Sequence, residues 1–338
     1  MMADRPLLPA RPLAAAALCA PVASLAPAVC MALALTQVCR AQNVGAGPST
    51  DTERIGQTYS TPSGARAASR PDVSLRIGGG FIRQFDADVD GGGDFSVSRA
   101  YASVSGSVAI SETVAFSPSI AYEFGDYSFG GAASAAFPWE RVNEVGIAPR
   151  IDVQLDRDLT VSVSPIIQFA AEDGAGWSDA AQWGGLGAIR YSFSPELTLG
   201  AGLLGLTQLE GDPLFIPIPL IDWKIDRNWR VSNLRVPEAN PFAALELVYD
   251  TQETLELALG GGWETRRFRL DEGGVGQDRG AAFYLRATVR IAEQFRIDGL
   301  VGVSAFNQLK AIDPSGTTTA SRNGDSGLLL GIFGSVRF

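Results

Sequence analysis

The stretch that decides the fold is Phe283-Tyr-Leu-Arg-Ala-Thr-Val-Arg-Ile291, read beside Asn143-Glu-Val-Gly-Ile-Ala-Pro-Arg-Ile-Asp-Val-Gln-Leu155. In the first, Phe283, Leu285, Ala287, Val289 and Ile291 alternate with Tyr284, Arg286, Thr288 and Arg290. In the second, Val145, Ile147, Pro149, Ile151, Val153 and Leu155 alternate with Glu144, Gly146, Ala148, Arg150, Asp152 and Gln154. A helix would scatter both sets around its axis, whereas a strand sorts them onto two faces. Thr160–Phe169 repeats the pattern, with Val161, Val163, Pro165, Ile167 and Phe169 on the apolar side.

Working outward, the connections alternate in length. Short ones fall at Ser111-Glu112, Asp156–Asp158, Ser194–Glu196, Arg227-Asn228, Thr251–Thr254 and Glu293-Gln294. Longer polar loops lie at 86–94, 126–141, 172–182, 271–280 and 311–325. Strands of this length, with tight turns at one end and long loops at the other, describe a closed antiparallel transmembrane β-barrel. The expected strands number 14, near 73–85, 95–110, 113–125, 142–155, 159–171, 183–193, 197–210, 214–226, 229–236, 242–250, 255–270, 281–292, 295–310 and 326–338. Twelve is the alternative, because Pro213, Pro217, Pro219, Pro237 and Pro241 crowd residues 211–241 and proline donates nothing to a ladder.

A soluble sandwich or lipocalin-like barrel would also alternate, but with a charged outer face. Here the polar positions hold mostly Gly, Ala and Ser with scattered charges, which suits a lumen. Aromatics gather in two levels: Tyr191, Phe193, Trp223, Trp229, Tyr249, Phe295 and Phe338 near the short turns, and Tyr122, Phe124, Trp139, Trp177, Trp183, Trp263 and Phe268 near the long loops. Two such belts are expected where a barrel crosses two membrane interfaces.

Residues 1–41 are expected to be a signal peptide: Arg5 and Arg11, an Ala/Leu/Val stretch from Leu13 to Val38, and Cys39-Arg40-Ala41 before Gln42. All 3 cysteines (Cys19, Cys30, Cys39) lie within it, so the chain that follows offers no disulfide or thiolate site. Residues 42–72 are expected to be a flexible linker, and 73–338 the barrel.

The chain is 338 residues long, 46% hydrophobic and 19% charged, with net charge −10 and no histidine. That balance disfavours a nucleic-acid partner, which would need clustered Lys and Arg. The missing histidine removes the usual general base, so the chain is not expected to be an enzyme; lipase- and protease-type mechanisms on such barrels need one.

The chain closes Leu328, Leu330, Ile332, Gly334, Val336, Phe338. This resembles the last strand of bacterial outer-membrane barrel proteins, which implies an outer-membrane location, lipid as surroundings, and recognition of Phe338 as an assembly signal by the barrel-assembly machinery. The segment Pro217-Ile-Pro-Leu-Ile-Asp-Trp223, followed by Trp229-Arg-Val231 and Val236-Pro237, is similar to one found in a family of outer-membrane barrels of unknown function. That likeness implies a fold and a location but no substrate.

Asp86, Asp88 and Asp90, ahead of Gly91, have the alternate-carboxylate spacing that opens a Ca²⁺ loop, although Val97 stands where a bidentate glutamate belongs. An acidic solvated loop is the plainer reading, and no other cofactor is expected. Gly200-Ala-Gly-Leu-Leu-Gly205 fits a dinucleotide pattern only on paper, since no crossover helix follows. The inward charges carry more. Alternation turns Arg150, Asp152, Lys224, Glu246, Glu256, Glu264, Arg266, Arg286, Arg290, Arg296 and Asp298 into the lumen, with opposite signs on neighbouring strands. Fixed charges of this kind line a porin-like channel for small solutes; alternatively, they pair off and fill a non-conducting structural or surface-interaction barrel.

Overall fold

In the computed structural model, which describes residues 73–233 and 243–338, the chain forms one closed antiparallel barrel of 14 strands. These are β1 (Val73–Asp88), β2 (Asp94–Ala109), β3 (Val114–Ser117 and Ser119–Phe129), β4 (Arg141–Ile147 and Arg150–Gln154) and β5 (Leu159–Glu172). Then come β6 (Ala181–Ser194), β7 (Leu197–Gln208), β8 (Gly211–Lys224), β9 (Trp229–Asn233) and β10 (Ala243–Asp250). The rest are β11 (Leu255–Arg269), β12 (Val275–Ala292), β13 (Phe295–Ile312) and β14 (Thr318–Gly324 and Gly327–Arg337). One short helix, α1 (Ala133–Ala136), stands between β3 and β4. The signal-peptide and linker readings of 1–41 and 42–72, together with Pro237 and Pro241, lie outside the described residues.

Each strand pairs with its neighbours, and β14 closes on β1 from Arg76↔Arg337 to Gln84↔Leu329. At the C-terminus, Phe338 N–H donates to the Leu75 carbonyl at 2.8 Å and Leu75 N–H to the Phe338 carbonyl at 3.1 Å. The wall is inside-out relative to a soluble protein. Leu285 is 58% exposed and Ile332 58%, whereas Arg286 is 2% exposed and Asp298 1%. Only a hydrocarbon surround makes that arrangement favourable, and closure leaves no sheet edge to be solvated. This is the architecture of an outer-membrane β-barrel.

Proline explains the interruptions. The registers flanking Pro118 and Pro149 set them opposite each other, in the gaps of β3 and β4. In β8, the Ile221 N–H and the Pro219 carbonyl both turn toward β9, where Asn233 receives the first and donates to the second. By alternation Pro217 and Pro219 therefore present their missing N–H away from β7, and the β7–β8 ladder runs intact past Pro217↔Leu203 and Pro219↔Ala201, while Pro213 sits at the register shift between Gly211 and Leu214.

Several loops are shorter than expected, because strands continue through them. β12 begins at Val275, and Thr318–Gly324 forms the upper part of β14. At one height β1, β13 and β14 switch faces. Below it Ile82 and Gln84, Ser304, and Leu329 point inward; above it Ala87 and Val89, Asn307 and Leu309, and Ala320 do. The register shifts at Gln84/Ala87 and Arg279/Ala281 mark bulges there, with Phe306 at φ 55°. Outside, Phe85 and Phe306 mark this level, and above it the outer face turns polar at Asp86, Asp88, Ser321 and Asn323.

Candidate functional site

At the short-turn end the lumen holds an ion-pair cluster spread over β10–β13. Arg286 donates to Glu246 at 3.0 and 2.7 Å, to Glu256 at 2.9 Å, to Asp298 at 3.2 Å and to the Thr288 hydroxyl. Arg290 reaches Asp250 at 2.5 Å and Glu256 at 3.7 Å, and Arg296 lies 3.4 Å from Asp298. The sequence-derived pairing across these strands is thus brought together, with Asp250 added. On the facing wall, Asp152 gathers Arg150 at 2.9 Å, Arg190 at 3.1 Å and the Ser162 hydroxyl at 2.5 Å. Lys224 does not join either group; it ends β8 exposed at the rim.

Glu264 and Arg266 belong to a third cluster higher in the bore. Arg266 pairs with Glu123 and Glu264, both at 2.6 Å. Arg99 meets Asp278 at 2.5 Å and Glu123 at 3.5 Å, and the Tyr127 hydroxyl donates to Asp278 at 3.1 Å. The sequence does not single out Arg99, Glu123, Asp278 or Arg190; Arg99, Glu123 and Arg190 sit at inward positions of expected strands, whereas Asp278 falls in the expected loop 271–280 that β12 in fact occupies. Charges removed from water at such cost persist only when paired and hydrogen-bonded.

Between Gln182 and Arg190 of β6, and across β7 and β8, the wall is apolar. Register aligns Leu186, Leu204 and Ile216 in one row and Ala188, Gly202 and Ile218 in the next, all on the lumen side of β6–β8, with Leu206 and Leu220 above and below. The lumen therefore has one lane of aliphatic side chains and a larger arc of paired charges.

The long-loop mouth is closed by an aromatic core. Phe95, Phe137, Trp139 and Phe268 are each at most 1% exposed, and Tyr127, Leu309, Val97 and Ala170 pack with them. Trp139 stands edge-on to Phe129 and Phe268, with centroids 5.4 and 5.5 Å apart. Thus Trp139 and Phe268, expected in the outer belt, turn inward, and the loop after β3 folds into the bore instead of projecting from it. Gly93, at φ 100°, makes this possible: an added Cβ would sit 2.1 Å from the Gly130 carbonyl of that loop. The end of β11 completes the closure by leaning across the barrel. Arg269 bridges Ala171 of β5, Gln182 of β6 donates to the Arg267 carbonyl, and Asp271 N–H donates to Glu172. At this height β1–β5 and β11–β14 close as a smaller ring around the aromatic core.

Beneath that core lies a cavity of about 20 Å³ between β1, β2 and β11–β14, bordered by Gln84, Arg99, Tyr101, Asp278, Ala282 and Asn307 among others.

The Ca²⁺ reading of Asp86, Asp88 and Asp90 finds no support in the geometry. These residues alternate because they are on a strand and its end, with Ala87 and Val89 buried between them in the aromatic core and the three carboxylates exposed. Among the described residues no three acidic, histidine or cysteine side chains gather as a metal site. Gly200–Gly205 lies within β7.

No family model matches the sequence, and no curated protein does. Among solved structures, an outer-membrane channel from Pseudomonas putida F1 is similar at TM-score 0.46 and 10% identity, covering 78% of this chain and 96% of that one. The P. putida toluene transporter TodX gives 0.40 and 10%, covering 80% and 91%. The translocator domain of the autotransporter NalP from Neisseria meningitidis gives 0.30 and 12%, covering 94% and 98%.

Proposed function

We propose that this barrel is an outer-membrane channel for small solutes, held shut at its long-loop mouth by its own aromatic core. The observation that carries the reading is the two-sided lumen: an aliphatic lane on β6–β8 faces an arc of charged side chains (Arg150, Asp152, Glu246, Glu256, Glu264, Arg266, Arg286, Arg290, Arg296 and Asp298). A barrel that had only to be filled gains nothing from buried charges that aliphatic residues replace at equal or better stability. A path lined on one side by apolar groups and on the other by hydrogen-bonding ones suits solutes that carry both. Lys224, at the short-turn rim, adds a cation to the exit.

The test is conductance of the refolded full chain in planar bilayers. Wild type is expected to be mostly closed, and Trp139→Ala combined with Phe137→Ala to give ohmic steps. In that opened background Arg290→Glu is expected to shift ion preference toward cations. A second reading, a non-conducting structural barrel, is favoured by the complete enclosure of the Arg286–Glu246 pair; an inserted double variant that stays silent selects it.

A further inference from the structure

We propose that the cavity beneath the aromatic core is a binding site for the neutral oxygen head, hydroxyl or carbonyl, of a solute. Gln84 carries the argument. The residue is 5% exposed, it borders the cavity, and its amide Nε2 has no hydrogen-bond partner among the described residues. A buried amide left without an acceptor is costly, and native structures keep one rarely. Most neighbouring polar groups are engaged: Asn307 Nδ2 donates to Ser304 and to the Asp325 carbonyl, and Arg266 is held by Glu123 and Glu264. Arg99 gives Nη2 to Asp278, but its Nε, 3.5 Å from Glu123, makes no hydrogen bond and is a second donor at the same cavity. The cavity thus offers donors in need of an acceptor.

Charge narrows the ligand further. Two guanidinium groups, Arg99 and Arg266, stand among three carboxylates, Glu123, Glu264 and Asp278. Glu264 and Asp278 border the cavity with the two guanidinium groups and Glu123 stands behind them, so both cations are already neutralised and a carboxylate or phosphate would enter without a free counter-charge, while a neutral acceptor meets Gln84 without that penalty. Ile82, Leu329 and Ala282 supply an apolar border for the carbon next to the oxygen. At about 20 Å³ the space takes a water or a single functional group, so it seats the head of a solute and not the whole of it. Use of the site in transit rests on the channel reading. Occupancy itself is measurable in detergent without any conductance, so a silent bilayer and an unoccupied cavity are separate results.

Ligand-observed saturation-transfer NMR on the full-length barrel in detergent, with 1-butanol, butanoate and n-butylammonium as probes of equal length, tests the assignment. The alcohol is expected to give a saturable signal that butanoate and butylammonium lack. Gln84→Leu, which keeps the shape and removes the donor, is expected to weaken it about 5-fold, one hydrogen bond's worth. Ala282→Leu, which fills the cavity, is expected to abolish it. Equal signals from all three probes, preference for butylammonium, or wild-type binding in both variants would each overturn the proposal.

Discussion

Arg286 grips Glu246 with two parallel bonds, Nε to Oε1 at 3.0 Å and Nη2 to Oε2 at 2.7 Å, and neither side chain has exposed surface. Because Arg286 also holds Glu256 and Asp298, it links β10, β11, β12 and β13 at one point. Removing the cation strands three carboxylates together. Arg286→Ala is expected to cost about 3–5 kcal/mol, the range for breaking a buried pair. Urea titration followed by the electrophoretic shift of the folded barrel measures it. Adding Glu246→Leu to Arg286→Met is expected to recover part of that loss.

The ring of Tyr284 lies over Gly260 on the adjacent strand, where an added Cβ would come within 2.7 Å of it. Gly260→Ala is expected to destabilise the barrel by about 1–3 kcal/mol through overpacking. Pairing it with Tyr284→Leu should return most of the loss in the same titration.

Asn233, the last described residue before 243, joins the strands on either side of it. It accepts from Ile221 N–H at 2.8 Å and donates to the carbonyls of Pro219 at 3.0 Å and Ala244 at 3.3 Å, tying β8 to β10 where β9 ends. Asn233→Leu keeps the volume and drops all three bonds, for an expected cost of about 1–3 kcal/mol. Amide exchange should accelerate at Ile221 while the β7–β8 ladder keeps its protection.

Asp313 orders the hairpin between β13 and β14. Its carboxylate accepts from the Ser315 hydroxyl at 2.6 Å and from the N–H groups of Ser315 and Thr317, both at 2.9 Å. The Ser315 hydroxyl bond first, then the Thr317 N–H, hold its pKa below the ordinary aspartate range. A depressed folded pKa means the support is present above the unfolded value, near about 3.9, and fades as pH falls through the folded one. Proteolysis within 313–317 is therefore expected to speed up in that acidic window, and Asp313→Asn to show the loosened behaviour at neutral pH.

The barrel was legible because its strands are amphipathic with period two, and lipid fixes which face goes where: Leu285 out and Arg286 in follow from alternation alone. The cross-strand partnership of Glu246, Glu256, Arg286 and Asp298 was legible for the same reason. The aromatic core was not. Phe137 and Trp139 fall in a segment without periodicity, and their inward turn depends on Gly93 meeting Gly130 and on β11 crossing to β5, contacts between residues far apart in sequence. Phe268 did leave a trace, two and four residues after the inward Arg266 and Glu264, although its ring suits the outer belt equally; Tyr127 falls in the expected loop 126–141 and left none. The upper parts of β1, β13 and β14 were hidden by their bulges, which reverse the alternation mid-strand so that a strand reads as a loop.

That shared reversal has a consequence for how the chain tolerates change. Since β1, β13 and β14 change faces together, a lone deletion in any one would swing its upper half the wrong way, presenting Leu309 or Val89 to water and withdrawing packing from the plug. Relatives that lengthen or shorten one of these three strands should therefore carry compensating length changes in its neighbours.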